Sequence, residues 1–235
     1  MTVEELFKSG RLLLETTPSE GVELPEAGLP LAGELMVIVF ILLFLLCLGR
    51  FLNILPFISD SIIRARGSAA LENSVRVRED RNIIALILLI PACLLLYRYR
   101  LYDPGFVRDM EPDLRLLTVS GVFLGVLLVR LIIYRWLMPR RRQDPYQVAY
   151  RAGHTFFILL LLLVLPTVGI LYLFHTNDLI VRTVILAETG LLFLIYLLRK
   201  GQILSGFCNP LTTFLYLCAL ELLPFGLYVA SALCL

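Results

Sequence analysis

Hydrophobic and polar positions fall along this chain in long blocks, with none of the two-residue alternation of a half-buried strand. Apolar runs occur at about residues 35–52, 83–99, 116–138, 154–174, 179–198 and 212–233, each separated by a short polar stretch. A helix needs about 20 apolar residues to cross a ~30 Å hydrocarbon core, and these runs are of that length. The pattern predicts an all-α, polytopic transmembrane helical bundle of about six spans occupying residues 35–235. The second run is the shortest and contains Pro91, so it is the one expected to be interrupted.

Residues 1–34 carry Glu4, Glu5, Glu15, Glu20, Glu23, Glu26 and Glu34 against Lys8 and Arg11, and read as a polar, acidic tail. A cleavable leader needs a basic start running into a short apolar core, so the first span is expected to be retained. Glu4 to Glu15 has the spacing of a short amphipathic helix, and the prolines and glycines from Pro18 to Pro30 break regular structure ahead of the first span. After the first span, NILPFISDSII reads as an amphipathic continuation that Pro56 should bend onto the membrane surface. Tyrosines and arginines alternate in YRYRLY (97–102), a composition suited to the headgroup level.

Composition agrees: 59% of the 235 residues are apolar and the mean hydropathy is +0.85. A net charge of +2 excludes nucleic acid as an expected partner, since that calls for a concentrated basic face. The bilayer is the expected environment, with other membrane proteins as candidate partners. Cys47, Cys93, Cys208, Cys218 and Cys234 are odd in number, lie in or beside apolar spans and form no CxxC pair. They are expected to be free thiols. His154 and His175 sit at opposite ends of one helix, so no metal site is expected, and no cofactor is implied.

Lys and Arg bias sets orientation. Six predicted spans put Arg50, Arg64, Arg66, Arg76, Arg78, Arg81, Arg135, Arg140, Arg141, Arg142, Arg151, Arg199 and Lys200 on one side. Only Lys8, Arg11, Arg98, Arg100, Arg108 and Arg115 fall on the other, so both termini are expected outside the cytoplasm. Arg140, Arg141 and Arg142 are candidate contacts for anionic lipid headgroups.

The candidate chemistry lies in charges within the spans. Glu221 is near the middle of the last span, three residues before Pro224, and Glu188 is near the middle of the fifth. Arg130 in the third falls at a similar depth, at ~1.5 Å of rise per residue, while Arg182 is close enough to one end to snorkel. Arg130, Glu188 and Glu221 therefore form a candidate intramembrane cluster. In one reading Arg130 pairs with one glutamate, and the other is protonated or hydrogen-bonded, which specifies packing. In the other, the surplus carboxylate binds or relays a proton or cation. No GxSxG, HExxH or P-loop signature is present, and no catalytic residue is assigned.

The run Tyr216 to Pro224, YLCALELLP, resembles the C-terminal signature, Y-L-C-x-L-E-x-x-P, of a bacterial family of polytopic inner-membrane proteins described only as a domain of unknown function. The resemblance implies the topology and a focus on Glu221, and no reaction. The expected function is a non-enzymatic structural or assembly component of a cell-envelope system. The alternatives are a small proton- or ion-coupled transporter and, more remotely, a membrane enzyme acting on a lipid phosphate.

Overall fold

The computed structural model describes residues 29–63, 75–137, 143–206 and 209–234. The expected amphipathic helix of the N-terminal tail and the arginines at 64, 66 and 140–142 lie outside the described residues. The elements are α1 (Leu31–Ile63), α2 (Val75–Ile87), α3 (Leu89–Arg98), α4 (Gly105–Arg108), α5 (Pro112–Leu137), α6 (Gln143–Leu173) and α7 (Asp178–Ser205). They continue with α8 (Pro210–Leu217), a π-helical turn (Cys218–Leu222) and α9 (Leu223–Cys234). Among the described residues six helical units are long and apolar enough to cross a membrane: α1, α2 with α3, α5, α6, α7, and α8 through α9. The chain is an all-α, multi-pass membrane protein.

Each span outgrows its apolar run, because buried polar side chains and packing extend the helices beyond the hydrophobic block. α1 is not interrupted at Pro56; it stays α-helical to Ile63. The reason is packing: Ile54 and Ile58 are almost fully buried against Ile84, Leu88 and Ile158 of the second and fourth spans. The second span begins in polar sequence, where Asp80 and Arg81 are buried and Arg50 of α1 pairs with Asp80 at 3.5 Å. It breaks at Leu88, close to Pro91, whose missing N–H removes one rung of the helix ladder.

Between spans the turns are short and specified. α3 and α6 end in left-handed residues, Arg100 (φ 47°) and His175 (φ 50°). In both, the following N–H reaches back five residues, Leu101 to Leu96 and Thr176 to Leu171, which satisfies a terminal carbonyl. Asn177 then caps α7 by accepting from the N–H of Leu179 at 3.1 Å. Asp103 holds Arg115 at 2.7 Å and Arg108 at 3.5 Å, and Asp113 accepts from the N–H of Ala32 at 3.0 Å. The acidic loop after α3 is thereby engaged in joining elements at one end of the bundle.

Cores form at different depths. Tyr102 stacks on Tyr228 with ring centroids 4.7 Å apart, near the end that holds Asp103. Tyr134, Ala149, Leu204, Tyr216 and Leu220 form a cluster toward the opposite end. Much of the rest is apolar and outward-facing, as a bundle solvated by lipid requires.

Candidate functional site

The last span is not a uniform α-helix. Pro224 has no N–H to offer the carbonyl four residues back, and just before it the chain widens into the π-helical turn Cys218–Leu222. Such turns concentrate at functional sites. Glu221 sits in this turn, 5% exposed, with Leu220 equally buried beside it.

One carboxylate oxygen of Glu221, Oε1, gathers three donors. Arg130 Nη2 from α5 donates at 2.8 Å and Tyr196 Oη from α7 at 2.9 Å. Lys200 Nζ, one turn beyond Tyr196 on α7, is the third. Tyr196 Oη in turn accepts from Arg130 Nη2 at 2.8 Å and from Lys200 Nζ at 3.2 Å. The phenol therefore uses its one proton and both acceptor directions, and Nη2 uses both of its protons. Lys200 is 1% exposed and its ammonium also lies over the rings of Tyr196 and Tyr216, at 5.5 and 5.8 Å from their centroids. A buried ammonium needs such enclosure by acceptors and π-faces.

The structure brings Arg130 and Glu221 together and places Glu188 elsewhere. Glu188 Oε1 accepts from Thr167 Oγ1 of α6 at 3.0 Å, and its Oε2 is buried with no hydrogen-bond partner among the described residues. Lys200 takes the place that depth alone had suggested for Glu188. In the sequence it reads as part of the basic exit Arg199-Lys200, because the apolar run ends at Leu198. α7 in fact continues to Ser205 and carries Lys200 into the bundle. The available signal was periodicity: Tyr196, Lys200 and Leu204 recur at four-residue spacing, and all three are buried. Arg182 is exposed near the start of α7, where snorkelling was expected.

This correction changes the charge balance. The expected cluster had two carboxylates and one guanidinium; the observed one has two basic groups and one carboxylate. The surplus carboxylate on which a proton site would rest is absent from it.

A cavity of about 290 Å³ adjoins the cluster. Residues of every span except α1 line it, and Arg130, Tyr196 and Glu221 form its polar end. Its walls are otherwise mostly aliphatic and phenyl groups, such as Leu95, Phe123, Phe157, Leu160 and Phe225. Gly153 of α6 lies against the polar end: a Cβ there would come within 3.0 Å of Arg130 Nη2 and 3.3 Å of Tyr196 Oη. Only a residue without a side chain lets α6 approach that closely. Tyr228, another lining residue, has a buried Oη with no hydrogen-bond partner among the described residues.

The chain matches no protein-family model, and no curated protein or solved structure matches it. Among the described residues no group of three His, Cys, Asp or Glu is arranged to hold a metal, and Cys47, Cys93 and Cys218 are free thiols.

Proposed function

We propose that the protein is a binding protein of the bacterial inner membrane, which takes a small ligand with an apolar body into the cavity between its spans. The observation that carries this reading is the joining of an apolar cavity to one polar end. Small-molecule sites are typically apolar hollows in which a few convergent polar groups fix orientation. The mostly apolar lining favours a lipid-like body over a hydrated ion.

The test is to purify the protein from native membranes in mild detergent and identify retained small molecules by native mass spectrometry, with Thr189→Phe as comparison. Thr189 lines the cavity, so the larger ring would occupy it. Retention of a defined molecule by the wild type and its loss from a folded Thr189→Phe protein supports binding. Equal retention by both refutes it.

An assembly role in a cell-envelope complex is a second reading, favoured by α1. Only 6% of its membrane window is buried inside the bundle, against 50% for the second span, so it offers a long apolar face to lipid or another membrane protein. Site-specific photo-crosslinking from Leu42 or Leu46, both exposed, distinguishes the two. A discrete crosslinked protein supports assembly, and lipid adducts alone count against it.

A further inference from the structure

We infer that the ligand carries a singly charged anionic head, which is received by the unused N–H groups of Arg130 beside Gly153. The inference rests on the binding reading above and specifies its chemistry. Arg130 Nη2 is fully engaged with Tyr196 and Glu221, whereas Nη1 and Nε have no hydrogen-bond partner among the described residues. A guanidinium offers five N–H donors in a planar fork, so three remain. Arg130 lines the cavity with 24% of its side chain exposed, while Lys200 lies behind it, 1% exposed. Among the described residues Lys200 and Arg130 bring two basic groups to the single carboxylate of Glu221, so with both protonated one positive charge is left over at the cavity end. A monoanion would neutralise it. A dianion would bring a second charge into a low-dielectric site with no partner for it.

Space is provided at the same point. The position of a Cβ on Gly153 is 3.7 Å from Arg130 Nη1, so the glycine leaves the guanidinium edge uncovered on the α6 side. With Nη2 occupied, neither parallel donor pair of the guanidinium is free, so the head is held through single N–H···O bonds from Nη1 or Nε, which a carboxylate on a single apolar chain can accept. The geometry thus assigns Arg130 and Gly153 the role of choosing the head, while the aliphatic walls choose the body.

The test compares three ligands of equal chain length on the purified protein in detergent, at about pH 7.5, above the carboxylate range. They are a fatty carboxylate, the matching fatty alcohol and the matching alkyl phosphate, each measured by displacement of a fluorescent fatty-acid probe. The carboxylate is expected to bind ten- to a hundredfold more tightly than the alcohol, the advantage of an ion pair with the guanidinium over a hydrogen bond to an uncharged oxygen. Arg130→Gln should reduce that ratio to about one; the substituted amide can still donate to Glu221, and Lys200 remains to hold the spans together. Equal binding of carboxylate and alcohol by the wild type overturns the anionic head but leaves the cavity reading intact. Tighter binding of the phosphate overturns the single charge. Failure of all three to displace the probe, with Thr189→Phe behaving as wild type, overturns the cavity reading itself. The comparison among ligands on the wild-type protein requires no variant to fold.

Discussion

Lys200 and Glu221 lie on different spans, 21 positions apart, and their side chains meet inside the bundle with each at most 5% exposed. The contact joins the fifth span to the π-helical turn of the sixth. Arg130 completes the connection to the third. Three spans thus share one carboxylate oxygen, and the energetics of the fold at this depth depend on it.

Removing one member of such a group leaves buried charge behind. Glu221→Gln should lower the thermal midpoint in detergent clearly, with a cost of about 3–5 kcal/mol if the buried basic groups find no other partner. Glu221→Gln with Lys200→Gln should recover part of this loss. A double-mutant cycle with coupling of about 1–3 kcal/mol is expected, and additive effects would show that the contact is energetically idle.

Two glycines of α6 should respond oppositely to the same substitution. At Gly169 a Cβ would meet nothing within 4 Å, so Gly169→Ala should be neutral or stabilising by about 0.5–1 kcal/mol through helix propensity. At Gly153 the methyl would press on Arg130 and Tyr196, so Gly153→Ala should destabilise. Thermal midpoints of the two variants, measured side by side, check the sign of each.

Glu188→Gln should differ sharply from Glu221→Gln. Among the described residues Glu188 receives only the Thr167 hydroxyl, and an amide keeps an acceptor for it while adding a donor that Leu163 or another carbonyl can take. A change in midpoint below that of Glu221→Gln, with normal folded yield, is expected. An equal loss would mean that Glu188 carries a charge the fold requires.

Tyr228→Phe removes a buried hydroxyl that has no partner among the described residues, while preserving the stacked ring against Tyr102. The ligand-free protein should be unchanged or stabilised, by up to about 1–3 kcal/mol. Destabilisation of the ligand-free form would show that the hydroxyl is satisfied after all.

The excess of Arg and Lys on the side of residues 50–81 and 135–151 predicts that this side is cytoplasmic. An alkaline phosphatase fusion to the C-terminus should therefore be active, and a fusion to the loop between α5 and α6 inactive. The reverse result would invert the protein.

Span number and helical class were determined by the sequence itself. Lipid offers no hydrogen bonds, so an apolar block of about 20 residues has few alternatives to an α-helix. Glu221 stood out for the same reason: a carboxylate inside such a block needs a partner. The partners were a different matter. Arg130 was legible from depth, but depth is one coordinate, and it ranked Glu188 with Glu221 although helix rotation turns Glu188 toward Thr167. Lys200 was hidden because an apolar run marks where hydrophobicity ends, and α7 continues seven residues past that point to Ser205. Only the packing of α7 against the sixth span shows that its polar extension faces inward. The cavity, too, exists only in the tertiary structure, since it is the space that five spans leave between them.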